Sequence, residues 1–188
     1  MGAEMLRLVG IAGSLRRASY NRAALRVAQD LVPSGTRLDS VDLAEIPVYN
    51  EDLRIDGDFP PPVAEFRRRI GEADGLLIVT PEYNYSIPGP LKNAIDWASR
   101  PPDQPFDGKP IAIMGASPSM LGTARAQYHL RQCFVYLNGM VLNRPEVMIA
   151  AAHGKFDEQG RLLDDKARQL IGDLVAALVA AVLQRRRA

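Results

Sequence analysis

The chain has 188 residues, of which 47% are hydrophobic and 24% are charged. A chain of this length and composition can bury most of its apolar surface in one core. Its formal net charge of +1 provides no general attraction for nucleic acid, so we expect no binding to DNA or RNA. The single cysteine, Cys133, cannot form an internal disulfide, and Met1 to Leu6 lack the basic and apolar segments of a secretory signal, which predicts a cytoplasmic location.

Short aliphatic runs alternate along the chain with longer segments of helical periodicity. We predict strands at residues 6–11, 37–43, 76–80, 111–116 and 141–149, and helices at residues 21–32, 63–73, 90–99, 123–137 and 164–186. The run 76–79 is apolar on both faces, which is typical of a parallel strand covered by helices on each side. The alternation predicts a single doubly wound α/β domain over residues 1–188.

The last predicted helix contains the longest apolar run, residues 174–183. This run is about half of the roughly 20 residues that a membrane-spanning helix needs. We therefore predict no membrane span.

Ligands of doubly wound domains bind beyond the carboxyl ends of the strands. That rule selects three loops for function, at residues 12–20, 81–89 and 117–122. A further irregular connection, residues 46–62, is either a plain surface loop or a rim or subunit contact beside the site, and the sequence does not choose between these.

The first loop reads Gly13-Ser-Leu-Arg-Arg-Ala-Ser-Tyr-Asn21 and opens a helix. Free backbone N–H groups and the positive end of the helix dipole meet there, and Arg16 offers a charged fork to phosphate oxygens. The alternative is an ordinary turn in which Ser19 or Asn21 only caps the helix. The chain lacks a Gly-x-Gly-x-x-Gly motif and a Walker lysine at this loop, which argues against a dinucleotide fold or an NTPase.

The second loop carries Pro81, Pro88, Gly89 and Pro90 around two tyrosines, Tyr83 and Tyr85. Prolines stiffen the loop, while the tyrosines provide apolar surface with polar tips. A rigid amphipathic wall of this kind suits a flat aromatic ligand. The alternative is that the tyrosines only pack against the protein.

Together, the segments Gly13–Asn21 and Pro81–Trp97 resemble the NADPH-dependent FMN reductase family, and bacterial chromate and quinone reductases are its most similar branch. The resemblance extends over essentially the whole chain. It implies a flavodoxin-like α/β fold with a five-stranded parallel sheet of order 2-1-3-4-5, helices on both faces, and FMN held without a covalent bond. The FMN-binding residues that it implies are Ser14, Arg16, Ser19 and Asn21 at the phosphate, Pro81, Glu82, Tyr83 and Asn84 along the isoalloxazine, and Ser117 near the ring.

The resemblance also implies a mechanism in which FMN carries the chemistry and no protein side chain acts as a catalytic acid or base. NADPH or NADH would give a hydride to flavin N5, leave, and make room for a flat acceptor in a ping-pong cycle. Quinones suit that place, and chromate, azo dyes and nitroaromatics are further candidate acceptors.

Other residues of the chain carry weaker functional signals. Ser117 lies in a segment that resembles a nucleophile elbow, but no partner acid and histidine are identifiable, and His129 and His153 lack metal-ligand spacing, so we predict neither hydrolysis nor a metal site. Helical spacing places Leu91 and Trp97 in the core and pairs Lys92 with Asp96.

The resemblance also implies a dimer or tetramer, since members of that family commonly form these assemblies. Arg125, Tyr128 and Glu146 could therefore contact another subunit of a homodimer or homotetramer, or they could simply be solvent-exposed.

Two other functions remain open at this point. One is a flavodoxin-type electron carrier with no nicotinamide activity, although the nearly balanced charge does not favour charged docking to a protein partner. The other is a flavin reductase that releases FMN as its product.

Overall fold

A computed structural model describes residues 5–187, and a parallel sheet forms its centre. The strands are β1 (Leu6–Ala12), β2 (Thr36–Val41), β3 (Gly75–Val79), β4 (Pro110–Ala116), β5 (Met140–Val141) and β6 (Val147–Ile149). Their order is β2-β1-β3-β4-β5, with β6 also paired to β4, and every pairing is parallel. The predicted fold class and strand order are confirmed.

Five longer helices cover both faces of the sheet in the described residues. They are α1 (Tyr20–Asp30), α2 (Pro61–Glu72), α3 (Gly89–Ala98), α4 (Ala124–Tyr136) and α5 (Asp165–Arg187). Apolar residues of α1 and α5 form one core with the sheet, and those of α2, α3 and α4 form a second core on the opposite face. All of β3 is buried, because it lies between these two cores.

The predicted fifth strand at residues 141–149 is interrupted. Its first segment, β5, pairs with Pro110 and Ile111, and its second segment, β6, pairs with the far end of β4. Between them lies Pro145, which has no N–H group to donate to a strand ladder. The prediction of one continuous strand was therefore wrong, although both segments occupy the expected edge of the sheet.

Helix α5 is long and apolar enough to cross a membrane by length and composition alone. In this fold one side of it is buried in the core that it shares with α1 and the sheet. The N-terminal segment used above for the prediction of location lies mostly outside the described residues.

The long connection between β2 and α2 is fastened to α3. The carbonyl oxygen of Pro47 accepts hydrogen bonds from Trp97 Nε1 and Asn93 Nδ2, both at 2.8 Å. The ring of Tyr49 lies edge-on to Trp97, with centroids 4.8 Å apart. Trp97 is fully buried, as is Leu91, so their predicted place in the core is confirmed.

Candidate functional site

The three loops selected from the sequence follow β1, β3 and β4, which are neighbours in the sheet. Because these strands are parallel, their carboxyl ends lie along the same side of the sheet, and the three loops come together there. The Gly13 N–H donates to the Val79 carbonyl oxygen at 2.9 Å. A Cβ atom on Gly13 would lie within 3.2 Å of Pro81, Pro88 and Leu91 side-chain atoms, so the first loop packs directly on the second.

The first loop presents a series of unpaired donors. From Ser14 to Ala18, no backbone N–H forms a hydrogen bond to another residue in the described part of the chain. Ser19 caps α1, with its Oγ accepting from the Asn21 N–H at 3.2 Å. Consecutive free N–H groups beside a helix N-terminus form a binding place for an anion such as phosphate.

The side chains of this loop differ in their surroundings. Ser14 is buried, with its Oγ 3.4 Å from the Tyr83 hydroxyl oxygen, so it joins the first and second loops. Arg16 is exposed, and its guanidinium carbon lies 5.6 Å from the Tyr20 ring centroid at the start of α1. Arg16 thus supplies a permanent positive charge next to the unpaired N–H groups.

Asn21 connects the first helix to the end of β4. Its Nδ2 donates to the Ala116 carbonyl oxygen at 2.9 Å, and its Oδ1 accepts from the Ala116 N–H at 2.8 Å. These two bonds leave one Nδ2 hydrogen for a ligand. The structure therefore gives Asn21 a joining role in addition to the phosphate contact that the resemblance implies.

Arg22 supports the first loop and was missed in the sequence analysis. Its Nε donates to the Ser14 carbonyl oxygen at 3.0 Å, and its guanidinium binds both carboxylate oxygens of Asp42 at 3.0 Å. Partial burial works to raise the pKa of Asp42, but hydrogen bonds from the Ala44 N–H and Arg22 bring that pKa below its ordinary value. A positive charge in the first turn of a helix is unfavourable because it opposes the helix dipole. The position of Arg22 near the start of α1 was therefore a sequence signal that its side chain has a specific partner.

The second loop contains a tight turn from Tyr83 to Ser86. The N–H of Tyr83 donates to the Ser86 carbonyl oxygen at 3.1 Å, and the reverse bond measures 3.0 Å. Its two central residues have positive φ angles, 49° at Asn84 and 67° at Tyr85. Asparagine adopts this left-handed region readily, whereas a tyrosine there is strained.

The turn leaves groups available for a ligand. Within residues 5–187, the N–H groups of Asn84 and Tyr85 have no hydrogen-bond partner. Tyr83 and Tyr85 are 48% and 68% exposed, so neither is a core packing residue. Pro81 is buried beneath the turn, and its carbonyl oxygen accepts from Thr80 Oγ1 at 2.8 Å.

Glu82 directs its side chain away from the turn and toward α4. Its carboxylate accepts from the N–H groups of Arg125 and Ala126 at 3.1 and 3.2 Å and forms an ion pair with the Arg125 guanidinium. The hydrogen bond between the Arg125 guanidinium and the Glu82 carboxylate raises the pKa of Arg125 above its ordinary value. Only the backbone of Glu82 is left for the isoalloxazine contact that the resemblance implies.

The third loop is held by the end of β6. The N–H of Ser117 donates to the Ile149 carbonyl oxygen, and its carbonyl oxygen accepts from Ala152, both at 3.0 Å. The Ser117 hydroxyl donates to Ser119 Oγ at 3.0 Å. Ser117 is thus well bonded within the protein, and it lies at the same edge as the first two loops.

The long connection after β2 also borders this edge. A groove of about 540 Å³ is lined by Leu15 of the first loop, Gly89 at the end of the second, and Ile46 and Val48 of the connection. This position agrees with the alternative in which the connection forms a rim beside the site.

The arrangement fits FMN in two respects. Free N–H groups and Arg16 suit its phosphate, and the exposed tyrosines with the free N–H groups of the turn suit the edge and face of a flat ring. The described residues include no group of three or more His, Cys, Asp or Glu side chains that could hold a metal ion.

Comparison with known proteins agrees with this assignment. Residues 6–154 match the family described as NADPH-dependent FMN reductase. An NAD(P)H-dependent FMN reductase of Pseudomonas aeruginosa is 60% identical over 176 residues, which cover 94% of this chain and 95% of that protein. A quinone reductase of Escherichia coli is 44% identical over 177 residues, 93% of this chain and 94% of that one. The solved flavoenzyme NAD(P)H:(acceptor) oxidoreductase of Paracoccus denitrificans has a TM-score of 0.85 at 33% identity, covering 96% of this chain and 98% of that chain.

Proposed function

The chain belongs to the NADPH-dependent FMN reductase family, and from this we propose that it is a quinone reductase that keeps FMN bound while NADPH or NADH reduces it. Membership confirms the predicted family, the FMN cofactor and the oxidoreductase activity. Quinones are the acceptors we propose, because relatives that match more than nine-tenths of this chain are named quinone reductases.

The observation that carries this proposal is the junction of the first two loops. Unpaired N–H groups from Ser14 to Ala18 follow Gly13 along the chain, and Gly13 itself packs against Pro81 and Pro88 of the second loop, which carries the exposed Tyr83. A ligand with a phosphate at one end and an aromatic ring at the other would contact both loops at once. We propose that the FMN contacts named in the sequence analysis are made there, with Glu82 contributing through its backbone.

FMN bound here would supply the two-electron chemistry that links the nicotinamide to the acceptor. The protein's task is then to bind and orient. Donors at the Asn84 and Tyr85 N–H groups would favour the more negatively charged, reduced ring. No side-chain acid or base is proposed to act, and the nicotinamide and the acceptor would occupy the same place in turn.

We include chromate, azo compounds and nitroaromatics as secondary acceptors. An open binding site above a flat ring discriminates between electron acceptors by their shape and redox potential more than by specific contacts. These acceptors should therefore be reduced less efficiently than quinones, at rates that follow their potentials.

The proposal is tested by initial rates with NADPH and a benzoquinone after FMN loading and desalting. Parallel double-reciprocal lines and FMN that stays with the protein after desalting are expected for a retained cofactor in a ping-pong cycle. Intersecting lines, or activity that requires added FMN after each desalting step, would favour a reductase that releases its flavin.

We also propose a cytoplasmic homodimer or homotetramer built from one-domain subunits, with Tyr128 and Glu146 in a subunit contact together with Arg125. Tyr128 is 48% exposed on α4, where Val135 and Tyr136 are 79% and 92% exposed, so this helix presents an apolar surface. The nearby Glu146 carboxylate raises the pKa of Tyr128 above its ordinary value. Light scattering of Tyr128→Ala should show a smaller assembly, and an unchanged mass would count against this contact.

A further inference from the structure

The start of α4 is capped by a residue from the second loop. Thr123, at the N-cap position, makes no capping bond with its own side chain. Glu82 takes that place, since its carboxylate accepts from the Arg125 and Ala126 N–H groups and its side chain is only 6% exposed. A carboxylate at a helix N-terminus is favoured both by these bonds and by the helix dipole.

Arg125 holds the same loop at a second point. Its guanidinium pairs with Glu82, and its guanidinium carbon also lies 3.4 Å from the Tyr85 ring centroid. Tyr85 is the residue with a strained positive φ angle. One cation therefore binds both Glu82 and the strained part of the turn.

A third contact lies one helical turn further along α4. Ser86 Oγ and His129 Nδ1 form a hydrogen bond of 2.9 Å. Three residues thus fasten the Tyr83–Ser86 turn to α4: Glu82 just before the turn, Tyr85 within it and Ser86 at its end. Strained backbone persists only when its surroundings hold it in this way.

We propose that Glu82 and Arg125 are positioning residues that hold the turn in the conformation in which the Asn84 and Tyr85 N–H groups remain free for the flavin ring. This inference rests on the proposed function. Without the pair, the turn can relax toward ordinary φ angles, and its donors are no longer aimed at a fixed point. Because donors favour the reduced ring more than the oxidised ring, their loss should weaken binding of reduced FMN the most.

The test compares Glu82→Ala and Glu82→Gln with the full-length parent protein. Gln keeps an oxygen acceptor for the two N–H groups but loses the charge that pairs with Arg125, so its effect should be intermediate. The readouts are the dissociation constant of oxidised FMN and the midpoint potential of bound FMN. We expect Glu82→Ala to weaken binding of reduced FMN at least tenfold more than that of oxidised FMN, which shifts the two-electron potential by at least about 30 mV to more negative values.

A matched control separates positioning from simple loss of stability. Asp164 Oδ1 caps α5 by accepting from the Ala167 N–H at 2.7 Å, and Asp164 makes no contact with the Tyr83–Ser86 turn. Asp164→Ala therefore removes a helix cap of the same kind elsewhere. It should lower the free energy of unfolding and leave FMN affinity and potential unchanged.

Three results would be decisive, of which two would overturn the positioning role and one would overturn the proposed function. If the parent binds FMN but Glu82→Ala and Glu82→Gln keep the parental affinity and potential, the positioning role is wrong and the proposed function stands. If Asp164→Ala shifts the potential as much as Glu82→Ala does, the effect is one of stability and positioning is again wrong. If the parent itself does not bind FMN, the proposed function fails and this inference fails with it.

Discussion

At the scale of single residues, Gly115 shows how closely β4 approaches the end of β3 and the start of α4. It lies near the end of β4, and a Cβ atom there would overlap the Thr80 carbonyl oxygen and Thr123 Oγ1. No side chain can be accommodated without moving backbone.

Gly115→Ala should therefore lower the free energy of unfolding by about 1–3 kcal/mol through overpacking, as measured by urea denaturation. Gly71 in α2 is the control, because a Cβ atom there would meet nothing within 4 Å. Gly71→Ala should stabilise the protein by roughly 0.5–1 kcal/mol, since alanine favours a helix over glycine. Equal effects of the two substitutions would contradict the described packing.

Cys133 gives a second prediction at this scale. It is half-buried on α4, and desolvation raises the pKa of its thiol above the ordinary value. The thiolate is the reactive form, so at pH 8 alkylation by iodoacetamide should be slow, and the rate should keep rising with pH above the ordinary thiol range, where the rate of an unperturbed thiol levels off. The urea-unfolded protein, which lacks this desolvation, is the control. Equal native and unfolded rates at pH 8 would rule out the raised pKa.

At the scale of elements, the loop between β1 and α1 is proposed to bind the FMN phosphate. Arg16→Ala should weaken FMN binding by about 10- to 100-fold, because a hydrogen bond to a charged group contributes roughly 1.5–3 kcal/mol. Riboflavin has no phosphate, so its affinity should not change. Fluorescence titration of both flavins measures the difference.

Arg17 provides the matched control for this prediction. It is exposed on the same loop and carries the same charge, but the family resemblance gives it no phosphate contact. Arg17→Ala should therefore weaken FMN binding less than Arg16→Ala. Equal losses of FMN affinity in the two variants would mean that the loop attracts the phosphate through its total positive charge and not through a specific contact with Arg16.

The elements also show what the sequence could reveal. Aliphatic runs and helical periodicity located the strands and helices, and the ends of those strands located the loops, because these are local properties. The sequence did contain a signal for the interruption between β5 and β6, because Pro145 cannot donate to a strand ladder. It could not reveal which residues of β4 each segment pairs with. The strand order was predicted from the family resemblance, because periodicity does not indicate which strands are adjacent in the sheet.

The side-chain partners in the site were beyond sequence reasoning for the same reason. Asn21 binds Ala116 across 95 positions of the chain, and Glu82 binds Arg125 across 43. The sequence identified Asn21, Glu82 and Arg125 as functional candidates but could not show that their side chains fasten one loop to another element. The local pair Lys92 and Asp96, by contrast, was predicted from helical spacing and is confirmed at 2.7 Å.

At the scale of the whole molecule, the charge balance bears on the alternative of an electron carrier. With a formal net charge of +1, the chain has no strong overall field to steer a protein partner. A small, uncharged acceptor such as a quinone needs no such field. The whole-molecule properties thus agree with a self-contained enzyme that reacts with small molecules.

The proposed function requires that nicotinamide and quinone react in turn through one bound flavin. An anaerobic titration of the FMN-loaded protein with NADPH, followed by a benzoquinone, tests it most directly through the visible absorption of the flavin. We predict bleaching on addition of NADPH, or of NADH, and recovery of the band on addition of the quinone. Bound FMN whose band neither NADPH nor NADH changes would contradict the claim and point to an electron carrier.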